Sequence, residues 1–351
     1  MKLVRSGLVA MAGVAAAVVV ACAAVNSAGS TPDDPDLTPH ATGPGARPAG
    51  NPAAERLAQE YELVDLADPA RTQVRRRVDQ TVVATLTVGA RTTVFTGPPR
   101  RFEEPSTTTA VVESTAYVRI APQAWQPGPQ IPEALARWLI TQLDDGDPVD
   151  VLAAAMQYLH DAPDLRDDHG VRYASDAGFG YVHSRDERDG ADFYDYLEIP
   201  WTFPDAGTVR PSARWDRDLD CSGYIRLVYG YRFGLPLLNQ TASTTVDGLP
   251  RTAASMAAHA RSVVIAAGRN PSRPPADLSA LQPGDLVFFA LHDDPALITH
   301  SGIYIGDDAD KGMRFVSSRG TADGPTFGDV RGDGVVDSGY FGERLRRVIR
   351  L

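Results

Sequence analysis

Cysteine is nearly absent: Cys22 and Cys221 are the only two in 351 residues. That excludes a disulfide framework and any multi-cysteine metal site. Histidine is also sparse, with His40, His160, His169, His183, His259, His292 and His300 forming neither a His-x-His nor a His-Glu-x-x-His pattern. Asp329, Asp333 and Asp337 lack the Asp-x-Asp-x-Asp-Gly order of a calcium loop and read as an acidic loop, so no metal or cofactor is expected. Positive charge is in deficit, with a formal net charge of -11, which argues against nucleic acid or an anionic surface as partner. The cluster Arg75-Arg76-Arg77 reads as a solvated helix face. No internal repeat is visible.

Apolar residues make up 43% of the chain, enough for one large domain or two modest ones. The one long uncharged run, Ser6 to Ala21, follows Lys2 and Arg5 and is short and alanine-rich, which favours a cleaved secretory signal over residues 1–21 rather than a retained span. Val19-Val20-Ala21-Cys22 resembles the bacterial lipobox, which implies that Cys22 is lipidated and the protein exported and anchored to the outer face of the cytoplasmic membrane. Secretion to the cell wall is the alternative. Residues 22–55 are rich in Ala, Pro, Gly, Ser and Thr and cannot bury a core; about 30 residues of such extended chain reach about 90 Å.

With Cys22 lipidated, Cys221 has no intramolecular partner. An unpaired thiol in an exported protein is either a buried structural group or a reactive one. Residues 56–165 read as a smaller mixed α/β accessory module. It has helical character over 56–77, strands at Thr81–Val88, Arg91–Thr96 and Ala110–Ile120, and a turn at Gly97-Pro98-Pro99. Helices are predicted at Pro132–Leu143 and Pro148–His160, where apolar residues recur at three and four.

The densest pattern lies in 166–351. Asp220 is a good helix N-cap, and Cys221, Tyr224, Ile225, Val228 and Arg232 follow along one helix side until Gly234-Leu235-Pro236 stops it. Cys221 thus sits in a first helical turn, where free N–H groups and the helix dipole favour thiolate and can hold an oxyanion. His300 opens a strand-like run to Gly306, between strand-like runs at Gly284–Phe289 and Met313–Ser318, which suggests an antiparallel meander. Turn arithmetic puts Ser317 or Ser318 opposite His300, as a candidate orienting residue or a half-buried strand end.

Three motifs, Asp220-Cys221-Ser222-Gly223-Tyr224, Leu281-Gln282-Pro283-Gly284-Asp285-Leu286-Val287-Phe288-Phe289 and His300-Ser301-Gly302-Ile303-Tyr304-Ile305-Gly306, together resemble the NlpC-type cell-wall peptidase family over about residues 190–351. The resemblance implies a papain-like α+β domain, with a nucleophile-bearing helix on an antiparallel sheet. It also implies amide hydrolysis in peptidoglycan stem peptides, with Cys221 as nucleophile, His300 as base, and Asp220 and Ser222 shaping the substrate site. Ser317 stands where the family usually places His, Asn or Gln. Trp201 matches an active-site Tyr, as a site wall or as plain core, and Phe203-Pro204-Asp205 replaces a Gly pair. Membrane contact is expected through the N-terminal lipid only. The alternatives are a wall-binding scaffold of weak or no activity and a related amidase or acyltransferase.

Overall fold

Asn51 opens the first helix by accepting the Ala54 N–H at 3.2 Å, and Pro52 fits the first turn, where a missing N–H costs nothing. The computed structural model describes residues 51–145, 149–180, 190–240, 246–310, 312–330 and 332–351. The signal, Cys22, most of the tether, His40 and His183 lie outside the described residues. α1 (Pro52–Glu60) leads into an antiparallel five-stranded meander: β1 (Tyr61–Leu66), β2 (Arg71–Arg76), β3 (Val82–Thr87), β4 (Thr92–Glu103) and β5 (Val111–Ile120). The helix expected over 56–77 therefore ends at Glu60. Pro69 cannot continue a helix, and Asp68 before it takes a left-handed φ of 53°, so the chain turns and pairs β1 with β2. Arg75 and Arg76 consequently sit on a strand, not on a helix face.

Gly97-Pro98-Pro99 is not a turn between strands either. β4 passes through it, with Thr96 opposite Ala116 and Arg100 opposite Ser114, so a bulge absorbs two residues that have no N–H to give the ladder. α2 (Glu133–Asp145) lies at the first helix expected there and runs two residues past its expected end, and α3 (Val151–Met156) falls within the second. α2 buries Leu135 and Leu139 against Val74, Leu86 and Phe95 of the meander.

Short elements follow: β6 (Leu165–Arg166), β7 (Arg172–Ala174), α4 (Phe193–Leu197), β8 (Trp201–Phe203) and β9 (Gly207–Val209). α5 (Cys221–Ile225) runs into a π-helical stretch, Arg226–Arg232, and Gly234 closes it with a φ of 71°. After α6 (Ala253–His259), a six-stranded antiparallel sheet has the order β10-β15-β11-β12-β13-β14. Its strands are β10 (Val263–Ala267), β11 (Leu286–Phe289), β12 (His300–Asp307), β13 (Met313–Arg319), β14 (Gly324–Thr326) and β15 (Leu345–Arg350), with α7 (Gly339–Gly342) before the last. The meander expected from three strand-like runs is β11-β12-β13, and the whole is mixed α/β with antiparallel sheets.

Residues on both sides of the expected division at 165/166 share one core. Phe102, Val112 and Val118 of β4 and β5 pack with Tyr224, Ile225, Ile303, Ile305 and Val316. Polar ties reinforce the join. Glu104, 5% exposed, accepts from Thr326 Oγ1 at 2.7 Å and Phe327 N at 2.8 Å. Arg350 donates to Thr87 Oγ1 at 2.7 Å while pairing with buried Asp285. Gly50–Leu351 accordingly form one compact unit. Among the described residues no helix is long and apolar enough to cross a membrane.

Candidate active site

The first turn of α5 is built around one carboxylate. Asp220 Oδ1 accepts the Gly223 N–H at 2.6 Å and the Ser222 hydroxyl at 2.9 Å, and Oδ2 accepts from Arg251 at 2.7 Å. Arg251 also donates to Ser222 Oγ at 2.8 Å and to the Gly190 carbonyl at 2.7 Å. A β-carbon on Gly223 would lie 2.4 Å from the Ala191 carbonyl oxygen, so only glycine lets the helix approach this closely. Deeper, Asp192 and Arg226 form a fully buried pair at 2.9 Å, and Arg226 donates onward to the carbonyls of Leu238 and Leu249, both at 2.7 Å. Such a pair is held by its hydrogen bonds as much as by charge, and breaking one side typically costs about 3–5 kcal/mol. Arg251, Asp192 and Arg226 escaped the sequence reading because their partners are 29 to 61 residues away or are backbone carbonyls.

Cys221 is a free, half-buried thiol at the start of this helix, its Sγ 4.0 Å from the Thr299 carbonyl oxygen. Burial and then the Asp220 charge push the thiol up to about 11, while the hydroxyl and N–H of Ser301 act in the opposite sense. This corrects the expected helix-start thiolate. The cap carboxylate takes one of the free N–H groups and stands beside the sulfur, and desolvation is the largest influence on the thiol.

His300 opens β12 and is 7% exposed, with its ring 6.0 Å from Phe289 and 6.2 Å from Phe341, centroid to centroid. Nε2 lies 3.1 Å from Ser317 Oγ. Ser318 faces the other way and donates to the Leu219 carbonyl at 2.7 Å, just before the helix cap. Of the two serines, Ser317 is the neighbour of His300.

Continuing the Ile303–Val316 pairing by three residues sets Arg319 opposite His300 and Ser317 on the same face one step away. Arg319 is the residue that sequence reasoning missed. It is 4% exposed, its guanidinium carbon is 4.7 Å from the ring centroids of both Phe315 and Phe341, and Nε donates to Ser317 Oγ at 2.9 Å. Burial lowers it to about 9, against the opposing charge of Glu104. Its position two residues beyond Ser317, on the same strand face, was the available signal. Burial and the Arg319 charge together depress His300 to about 3, so the imidazole is neutral at pH 7.

Cys221 and His300 line one cavity of about 930 Å³, with Asp220, Ser222, Arg319 and Tyr340 among its walls. Among the described residues no hydrogen bond joins the sulfur to the imidazole, and in unliganded sites such bonds often tighten only when substrate arrives. Trp201 does not line this cavity. The β8–β9 hairpin turns its ring edge-on to Phe193 at 5.0 Å and to Tyr231 at 5.9 Å, so it packs against the core. Asp329 accepts from Thr108 Oγ1 at 2.6 Å and pairs with Arg314, a structural use of the acidic loop. Among the described residues, His160, Asp161 and Asp176 alone group atoms that could hold an ion. They line no described cavity, and His160 Nδ1 already meets Asp176 at 3.1 Å.

Residues 207–323 match the NlpC/P60 family, which consists generally of cell-wall cysteine peptidases and amidases. The resemblance drawn from three motifs holds over this span, which contains Asp220–Tyr224, β11, β12 and β13. A crystal structure of an NlpC/P60 family protein from Bacillus cereus ATCC 10987 aligns with 83% of this chain and 78% of its own, at 13% identity and a TM-score of 0.27. No curated protein matches the chain.

Proposed function

We propose, taking residues 207–323 as an NlpC/P60 domain, that the protein is a cysteine peptidase that hydrolyses an amide bond in peptidoglycan stem peptides. The observation that carries this reading is the single cavity walled by both the Cys221 thiol and the His300 imidazole. The proposed arrangement is papain-like, with the nucleophile's helix laid on the antiparallel sheet.

Both groups start neutral, so the proton moves as bond formation begins. With Nε2–H donated to Ser317, Nδ1 is the free base. It takes the thiol proton while sulfur bonds to the amide carbon, and backbone N–H groups at the start of α5 hold the oxyanion. The proton then passes to the leaving nitrogen as the C–N bond breaks, and water cleaves the thioester to restore the thiol. Asp220 and Ser222 act by fixing the helix start through Arg251. Incubating the protein with defined muropeptides should release cleaved stem peptides, identified by mass. Cys221→Ala and His300→Ala should each lower turnover by about a thousandfold or more, and activity surviving in Cys221→Ala would sink the proposal.

A second reading, a wall-binding protein of little turnover, is favoured by one feature: the Arg319 charge beside the imidazole disfavours a positive His300. Product masses also separate a peptidase from an amidase or acyltransferase. The remaining assignments rest on sequence: a signal over 1–21, Cys22 as lipid anchor, a tether to about 55, and a wall-facing location.

A further inference from the structure

Beside the thiol cavity lies a second one of about 470 Å³, and Leu291, His292 and Tyr340 wall both. One groove therefore continues from Cys221 past Tyr340 to Arg344 and Arg346. Charge in this extension is stratified. Arg346 is 8% exposed and donates only to neutral carbonyls, those of Pro295 at 2.6 Å, Glu343 at 2.9 Å and Leu345 at 2.8 Å. Among the described residues it has no carboxylate partner. Arg344 stacks 4.2 Å above the Tyr340 ring and gives one N–H to the Tyr340 carbonyl. Its one acidic neighbour, Glu343, is 3.5 Å away on a side chain that is 77% exposed, and an ion pair so placed neutralises little. Asp293 on the wall is exposed too. The two arginines are close enough that the charge of Arg344, together with burial, lowers Arg346.

Buried Arg346 behind half-buried Arg344, with both acids at the surface, suits an entering carboxylate, which would meet the forked donors of Arg344 directly. We propose that this second cavity is a subsite for the free terminal carboxylate of the substrate peptide, so that the protein prefers stem peptides whose end is not cross-linked. The inference rests on the peptidase reading and names the substrate feature it selects.

The test is binding to the otherwise intact Cys221→Ala protein, which separates recognition from turnover. Calorimetric titration would compare a stem tetrapeptide bearing a free C-terminal carboxylate with the same peptide as its C-terminal amide. The acid should bind about tenfold more tightly, the scale of one charge-assisted hydrogen bond. Adding Arg344→Gln should remove that preference while leaving amide affinity within about twofold. Arg344 is chosen because Arg346 also holds the Pro295 carbonyl and its loss can unfold the loop. Equal binding of acid and amide, or a preference that persists in Arg344→Gln, overturns the subsite while leaving the peptidase reading intact. Failure of both peptides to bind overturns the substrate class and this inference with it.

Discussion

Raising the pH is the perturbation that separates a resting neutral Cys221–His300 site from a preformed thiolate–imidazolium pair. With the thiol at about 11, roughly one molecule in ten thousand is thiolate at pH 7, against about 3% for an ordinary cysteine near 8.5. That deficit is about 300-fold. A more basic thiolate is also a better nucleophile, with a Brønsted slope of about 0.4–0.5, which returns roughly tenfold. Cys221 should therefore react with 4,4′-dithiodipyridine about 20- to 30-fold more slowly than a free cysteine peptide at pH 7. Its rate should climb close to tenfold per pH unit up to about pH 10. The assay is absorbance of the released thiopyridone, with Cys221→Ser as the blank for any signal from Cys22. A rate that is flat between pH 5 and 8, or faster than the peptide's, would show an ion pair and refute the reasoning from burial and Asp220.

Two further outcomes follow from the same features. His300 is held neutral, near 3 when folded against about 6.5 unfolded, so below pH 6.5 the unfolded chain binds a proton that the native one refuses. This stability is fully present above pH 6.5 and is lost as pH falls toward 3, at about 1.4 kcal/mol per unit and roughly 5 kcal/mol in all. Urea titrations from pH 7 to 4 should show a slope shallower by that amount per unit in His300→Gln, and an unchanged slope contradicts the assignment. For the anchor, Cys22→Ala should move the protein from the membrane to the soluble fraction or block its maturation; unchanged membrane partition counts against lipidation.

Where a short stretch of chain carries its own partners, the fold was legible in the sequence. Asp220 caps its helix three residues on, Gly234 ends the helical run, and the apolar runs of β11, β12 and β13 pair as neighbours with short connections. The turn arithmetic that reached Ser317 worked because the residue two away on a strand shares its face. The residue that continues the ladder opposite His300 is Arg319, because Asp307 pairs with Met313 and the turn centres on Asp310, one to two residues beyond the Asp308–Ala309 centre that the arithmetic assumed. What stayed hidden depends on distant partners. The Glu104 tie to Thr326 spans 222 residues, and it joins two halves that composition had divided. The stretch 56–77 has helical character in sequence, yet Pro69 interrupts it and the chain turns to pair β1 with β2. Trp201 resembled a site position in sequence, yet its hairpin turns the ring onto Phe193. The thiol environment was misjudged for a related reason: a helix start is visible in sequence, but the desolvation of Cys221 is not.

Trapping the acyl-enzyme tests the central claim most directly. The protein mixed with a stem peptide, quenched in acid within milliseconds and digested for mass spectrometry should carry the acyl half of the substrate on the peptide containing Cys221. The adduct should decay as free acid appears. Product formation at full rate with no adduct on Cys221 at any time would contradict the account.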